Sequence, residues 1–161
     1  IHAAIISRPD ILSASMQFVT IAKEDLVLLV AEGTENDTPE NLLRAKPFIR
    51  FNRDAVVGRQ IEAWLQSKDI VVNNTMELEG LEAISSMVAA ELGISIVPQR
   101  CIRKDDHLPL RTIPLGHDAP RRTLGLVSRS NSPRAKIIGI TEAVFVSAVS
   151  TGGIQSQRQI V

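Results

Sequence analysis

The chain of 161 residues has a single cysteine, Cys101, and no net charge. One cysteine excludes an internal disulfide and any multi-thiolate metal site, and it suits the reducing cytoplasm, where we expect this protein to reside. The 18 basic and 18 acidic side chains balance, whereas a surface that neutralises nucleic-acid phosphates needs a basic excess. We therefore expect no direct DNA binding by these residues.

Long apolar runs are also missing. None approaches the ~18 uninterrupted residues of a membrane-spanning helix, so we expect no membrane partner. Hydrophobic residues make up 44% of the chain and charged residues 22%, which is typical of a soluble globular protein. The chain begins at Ile1, with neither an initiator methionine nor a signal-peptide pattern, and we expect a fragment or a processed chain.

Motifs that carry catalysis or metal binding are absent from the sequence. His2, His107 and His117 share no metal-ligand spacing, and the patterns HExxH, CxxC, G-x-S-x-G and G-x-G-x-x-G do not occur. Cys101 near His107 suggests a thiol nucleophile, but a small apolar residue beside a strand end is the competing interpretation. The sequence thus predicts no catalytic residue, no metal and no cofactor.

Apolar patterns along the chain indicate strands that alternate with helices. Stretches of strand character occupy residues 1–7, 16–21, 25–30, 47–52, 71–78, 94–97, 110–115 and 123–127. Helical stripes occupy residues 56–69 and 81–92, and Ser132-Pro133 marks the start of a third helix. The run 25–30, after a charged turn, is continuously apolar and fits a strand covered on both faces of a parallel sheet. The order strand–helix–strand predicts βαβ units and an α/β fold, and residues 32–40 read as a surface loop.

Arginine outnumbers lysine by 13 to five, and several arginines follow predicted strands. A guanidinium group grips a carboxylate through two parallel hydrogen bonds, which an ammonium group cannot do. Ligands of α/β sheets collect at the carboxyl ends of strands, where helix N-termini also point. Arg8 and Arg53 are therefore candidates for holding an anion, and surface ion pairs are the competing interpretation.

Four stretches in order carry a resemblance to a known family. They are "EDLVLLVAEG", "PFIRFNRDAVVGRQIEAWLQSKDI", "LEGLEAISSMVAAELGISIVP" and "PLRTIPLG" followed by "RRTLGLVSRSNSPRAKII". Over nearly the whole chain, to about Ser150, the sequence resembles the sensing domain of LysR-type bacterial transcriptional regulators. It departs from the family pattern at Glu91, where glycine is frequent, and at Gly80, where a small polar cap is frequent.

The resemblance implies an α/β fold with two Rossmann-like lobes of the periplasmic-binding-protein type II kind, joined by two crossing strands. The first lobe would comprise residues 1–46 and 121–150 and would be incomplete, because its opening strand and helix are not in the chain. Residues 47–120 would form the second lobe, and residues 151–161 a flexible tail. A strand edge left open in this way predicts self-association.

The resemblance also implies a function. A small effector, expected to be a carboxylate, would bind between the lobes and control the conformation of a DNA-bound homodimer or homotetramer. DNA would be bound only through an N-terminal winged helix-turn-helix outside this chain. The alternative is the solute-binding protein of a transport system, which shares the two-lobe fold. An enzyme of that fold, such as a deaminase or a prephenate dehydratase, is a further alternative without a catalytic constellation to support it.

The effector-binding positions implied by the resemblance are Ser7, Arg8, Asn52, Arg53, Val56, Val57 and Pro98. The first two end a first-lobe strand at the cleft, and the next four lie at the strand-to-helix turn of the second lobe. For the two valines, packing in the core is the competing interpretation. Pro98 ends a buried strand near the hinge, where a structural role competes with effector contact.

Overall fold

The computed structural model describes residues 2–99 and 108–157, with side chains for residues 2–99 and 108–150. Contacts between residues divide the chain into two compact units. Unit 1 comprises Ile1–Lys23 and Thr123–Val161, and unit 2 comprises Glu24–Arg122. Two strands, β2 (Met16–Ala31) and β7 (Arg121–Arg129), contribute residues to both units.

In unit 1, β1 (Ala3–Ser7) pairs antiparallel with β7, with Ser7 opposite Leu124. The N-terminal part of β2 lies on the other side of β7. Gly125 of β7 permits this packing, because a Cβ atom there would lie 2.3 Å from the ring of Phe18. The helix α4 (Ala135–Gln157) follows β7. It begins after a turn in which the Ser132 hydroxyl accepts the backbone N–H of Arg134 at 3.3 Å.

In unit 2, the C-terminal part of β2 pairs antiparallel with both β5 (Ser95–Pro98) and β6 (Leu110–Pro114). Every residue from 26 to 31 is buried, so the prediction that this run is covered on both faces is confirmed. The predicted parallel pairing is wrong for this strand. A continuous apolar run reports burial on both faces and carries no information about the direction of the neighbouring strands.

A parallel βαβ unit follows in unit 2. The strands β3 (Pro47–Phe51) and β4 (Asn73–Leu78) pair parallel and are connected by the helix α2 (Val56–Ser67). The predicted apolar face of this helix is buried, and it consists of Val57, Ile61, Trp64 and Leu65. This stretch matches its predicted order and position, because a 3.6-residue period between two short apolar runs is a distinctive pattern.

The helix α3 (Leu81–Ala89) is shorter than predicted, since the stripe was expected to continue to Leu92. Glu91 adopts a left-handed conformation, with φ of 60°. The N–H of Leu92 bonds to the carbonyl of Met87 at 3.1 Å, and that of Glu91 to Val88 at 2.9 Å. These are the two bonds of a Schellman C-cap, which ends the helix and leaves Leu92 49% exposed.

The charged turn predicted before residue 25 does not exist, because β2 continues through it as one strand of 16 residues. Glu24 is only 6% exposed. Its carboxylate accepts a hydrogen bond from Arg122 Nε at 2.8 Å and a second from Arg122 Nη2. Asp25 bonds to Arg121 Nε at 2.5 Å. The two arginines of β7 supply the partners that let charged residues continue a strand.

Residues 32–40 were predicted to be a loop, and the last of them begin a helix, α1 (Pro39–Ala45). The Thr38 side chain accepts the Asn41 N–H at 3.3 Å, and Pro39 occupies the first turn. Both are ordinary helix-start signals. Leu42 and Leu43 of this helix are buried in the core of unit 2. The polar composition of the stretch obscured a short helix with one apolar face.

The face of α4 that is buried also differs from the predicted one. Ile137, Ile140 and Val144 are exposed, whereas Ile138 is buried. The helical backbone continues to Gln157. The flexible tail of residues 151–161 stays a prediction, and residues 158–161 lie outside the described residues. Within the described part of the chain, no helix is both long and apolar enough to span a membrane.

The compact units differ from the predicted lobes in the placement of residues 24–46 and 121–122, which group with residues 47–120. Their apolar side chains explain this grouping, because Leu26, Leu28 and Leu42 share one core cluster with residues of α2 and β5. The predicted lobe boundaries stay a prediction, since the units are defined by packing within each.

Candidate functional site

The turn between β3 and α2, residues 52–55, and the first two residues of α2 contain four of the predicted site positions. The Asn52 carbonyl accepts the Ala55 N–H at 3.2 Å, and the Asn52 side chain accepts the Asp54 N–H at 2.8 Å. Gly58 lies directly beneath, because a Cβ atom at that position would be 2.0 Å from the Asn52 carbonyl oxygen. The glycine thus allows the turn to rest on the first turn of α2.

Arg53 is held in this turn by a carboxylate from the neighbouring strand. Glu77 Oε1 accepts the Arg53 backbone N–H at 3.0 Å, and Oε2 accepts Arg53 Nε at 3.1 Å. The backbone N–H is the largest cause that holds the pKa of the Glu77 carboxyl below its usual range, and the guanidinium adds to it. Glu77 is therefore a carboxylate at neutral pH, and Arg53 is already paired with an anion.

Asn52 also bonds to a carboxylate, that of Glu79, two residues after Glu77. Its side-chain amide donates to Glu79 Oε1 at 3.2 Å, and its backbone N–H donates to the Leu78 carbonyl at 3.0 Å. The end of β4 therefore faces the turn with two carboxylates, Glu77 and Glu79. Together they fix the side chains of Asn52 and Arg53.

The N-terminus of α2 adds a second electrostatic element. Ala55 occupies the N-cap position and has no side-chain acceptor, and the first turn of this 12-residue helix contains no acidic residue. The N–H groups of a first helical turn carry a partial positive charge that favours anions. Arg53 and this helix start therefore present donors on the same turn, and Val56, in the first turn, is half-buried.

Val57 and Pro98 occupy structural positions. Val57 is buried in the core cluster of α2. Pro98 is buried at the end of β5, where it pairs with Leu26 of β2. Core packing accounts for both residues, and their contact with an effector stays a prediction.

Ser7 and Arg8 lie in unit 1. Ser7 ends β1, and the Arg8 backbone N–H donates to the Thr123 carbonyl at 2.8 Å. The Arg8 guanidinium lies 5.5 Å from the centroid of the Phe18 ring, a cation–π contact. The predicted residues thus divide between the two units, with two in unit 1 and five in unit 2, and their joint role in one site stays a prediction.

Two cavities lie elsewhere in unit 2. The larger, about 340 Å³, is lined by Arg50, Glu62, Leu65, Gln66, Asp69, Ile70, Val71, Val72 and Asn74. Arg50 forms an ion pair with Glu62 and donates from Nε to Asn74 at 2.8 Å. Its charge is therefore neutralised within the fold. The smaller cavity, about 160 Å³, lies between the end of β2 and the start of β3.

Residues 1–138 match the family described as LysR substrate binding domain. This chain belongs to the LysR substrate-binding domain family. All four stretches that carried the resemblance fall within the matched residues. The α/β fold class is that of the effector-binding domains of this family, which are periplasmic-binding-protein-like.

Curated relatives of the chain are named as transcriptional regulators. The HTH-type transcriptional regulator CzcR of Bacillus subtilis is 30% identical over 76 residues, which cover 47% of this chain and 25% of CzcR. The HTH-type transcriptional regulator YwbI of the same species is 32% identical over 100 residues, 60% of this chain and 33% of YwbI. The chain thus matches a quarter to a third of the length of these relatives.

Solved structures share the fold at lower identity. The effector-binding domain of QuiR in complex with shikimate is 21% identical with a TM-score of 0.76, covering 91% of this chain and 72% of that one. An OxyR mutant from Corynebacterium glutamicum is 21% identical with a TM-score of 0.77, covering 100% of this chain and 52% of that one. These likenesses establish the fold of the family for this chain.

Glu77 and Glu79 were missed in the sequence, although a signal was present. The two residues alternate around Leu78 at the end of a predicted strand, so they project to one face. A parallel βαβ unit places the ends of its two strands side by side. The combination predicts that these carboxylates approach Asn52 and Arg53.

Proposed function

We propose that this chain is the effector-sensing domain of a LysR-type transcriptional regulator and that it binds a small anionic molecule, a carboxylate, between two lobes. The observation that best supports this proposal is the β3–α2 turn, where Arg53 and the start of α2 present hydrogen-bond donors together. The regulator would act in the cytoplasm as a homodimer or homotetramer. It would contact DNA through a separate N-terminal domain.

The relatives support sensing rather than catalysis. CzcR and YwbI are named as HTH-type transcriptional regulators. The QuiR domain was solved with shikimate, a carboxylate, and the regulatory domain of CcmR from Synechocystis was solved with 2-PG. We extend small-molecule binding to this chain as part of the proposal. The acceptor oxygens of a carboxylate would match the paired donors of Arg53.

Control of DNA binding follows from differential affinity. An effector that binds one arrangement of the lobes more tightly shifts the population toward it, by no more than the difference in binding free energy. A coupling of about 1–3 kcal/mol is ordinary for such a shift. The regulator would therefore need only a modest preference of the effector for one arrangement.

The test compares two arginine variants of unit 2 in the intact regulator. A panel of small carboxylates is screened for those that raise the melting temperature, and the best is carried into a promoter-binding assay. We expect Arg53→Ala to abolish the melting shift and the response. Arg44→Ala removes an exposed arginine from the last turn of α1 and should leave both unchanged. If Arg53→Ala responds as the parent does, the assigned role of Arg53 is wrong.

A further inference from the structure

Three of the arginine–carboxylate pairs in the described part of unit 2 show a difference in burial. They are Arg50–Glu62, Arg122–Glu24 and Arg53–Glu77. The Arg50 and Glu24 side chains are 6% and 5% exposed, whereas the Arg53 side chain is 61% exposed. Removing one partner of a buried pair leaves an uncompensated charge away from water, so a buried pair is costly to break. An exposed pair is worth no more than about fivefold in an equilibrium constant, and a solute can replace one of its members.

The contact that Glu77 makes has the form of a bound ligand. Both of its oxygens are taken by a single residue, one by the backbone N–H and the other by the guanidinium of Arg53. A carboxylate from solution that docked on this turn would use the same two donors. Glu77 and such a carboxylate therefore cannot occupy Arg53 in this way at the same time.

The charge around the turn strengthens this exclusion. Glu77 is ionised, because its hydrogen bonds from Arg53 lower the pKa of its carboxyl. Glu79 adds a second carboxylate, which is bound to Asn52 at the same strand end. An incoming anion meets like charges unless Glu77 moves away from the guanidinium as the anion arrives.

We propose that Glu77 is a resident competitor at the effector site, and that an anionic effector binds Arg53 by replacing the Glu77 carboxylate. This inference rests on the proposed function. The replacement sets a threshold, because the effector must gain more from Arg53 than Glu77 loses. It also sets a chemical preference, since an anion with two oxygens satisfies both donors and a spherical halide satisfies them poorly.

The experiment titrates the protein with sodium acetate at constant ionic strength and follows the backbone N–H resonance of residue 53 by NMR, with sodium chloride as the spherical-anion comparison. Glu77→Gln removes the charge of the competitor and keeps an oxygen that can accept the backbone N–H. Glu82→Gln is the matched control, because it neutralises an exposed carboxylate in the first turn of α3 rather than the carboxylate that binds Arg53. A melting curve of each variant checks that it is folded.

We expect Glu77→Gln to lower the half-saturating acetate concentration about fivefold, which corresponds to about 1 kcal/mol, and to leave chloride binding weaker than acetate binding. Glu82→Gln should change the acetate value less than twofold. Glu77→Asp, whose shorter carboxylate cannot reach both donors, should act in the same direction and serves if Glu77→Gln unfolds. Unchanged or weaker acetate binding in folded Glu77→Gln and Glu77→Asp would overturn the competitor role.

Failure of the proposed function has a different signature. If Arg53→Ala binds acetate as tightly as the parent protein, Arg53 is not an anion site, and the proposed function loses the residue on which it rests. If Arg53→Ala abolishes binding while the Glu77 variants bind no better than the parent, the site stands and the competitor role alone fails.

Discussion

Apolar side chains are mostly buried in unit 2, whereas in unit 1 many of them face solvent. Among the described residues, the buried hydrophobic residues of unit 1 are Ala22, Leu126 and Ile138. Its exposed large hydrophobic residues are Ile5, Ile11, Leu12, Met16, Ile137, Ile140, Val144, Phe145 and Val146. In unit 2 the corresponding exposed residues are Val71, Leu92 and Leu108.

This contrast indicates which unit supplies most of the stability of the chain. Burial of apolar surface is the dominant favourable term in folding. Unit 2 has two core clusters, one around Phe48 and Trp64 and the other around Ile49 and Ile84. We therefore expect unit 2 to supply most of the free energy of unfolding, and the amides of unit 1 to exchange with solvent more readily.

The largest effect is expected from emptying the core of unit 2. Phe48 is fully buried in β3, and Phe48→Ala should reduce the free energy of unfolding by about 3–5 kcal/mol, because it removes apolar contacts and leaves a cavity. Ile138→Ala is the matched change in unit 1 and should cost about 2 kcal/mol. Urea denaturation measures both. A larger loss from Ile138→Ala would reverse the comparison.

An intermediate effect is expected at the edge of unit 2, where two ion pairs lie side by side on β2 and β7. Glu24→Gln leaves Arg122 without its buried carboxylate and should cost about 3 kcal/mol. Asp25→Asn breaks the exposed pair with Arg121 and should cost less than about 1 kcal/mol. The two melting curves, recorded under the same conditions, check the difference. Equal losses would show that burial does not distinguish the pairs.

The smallest expected effect is an increase in the free energy of unfolding, caused by a change within unit 2. Glu91 ends α3 in a left-handed conformation that glycine adopts without strain. Glu91→Gly should therefore stabilise the protein by about 0.5–1 kcal/mol. Glu82→Gly, in the first turn of the same helix, should destabilise it by about 0.5–1 kcal/mol instead. If the two glycines change the urea midpoint in the same direction, the strain assigned to Glu91 is not present.

Most elements could be predicted from the sequence where the period of the apolar residues was clear. The unit β3–α2–β4 is the best case, since alternation, helical spacing and alternation again follow each other without interruption. Predictions failed where tertiary partners decide. The arginines at 121 and 122 keep charged residues inside β2, and no local pattern announces a partner about 100 positions away in the chain.

The candidate site was predictable to a similar degree. Arg53 was proposed because it follows a strand in a βαβ unit, which is a rule about position, and its role in binding stays a prediction. Glu77 was missed because its role depends on the partner across the unit rather than on its own neighbours. The orientation of α4 failed for a related reason. Its sequence has apolar residues on more than one face, so the buried Ile138 cannot be chosen over Ile137 by periodicity alone.

Gly58 carries no functional group, yet the turn that presents Arg53 rests directly upon it. Any larger residue there must push the backbone of Asn52 aside, and the donors of the site move with that backbone. We therefore expect a genetic screen for variants that no longer respond to the effector to yield substitutions of Gly58 as well as of Arg53. We would then expect selection to keep glycine at this position, because the turn occupies the space that a side chain would fill.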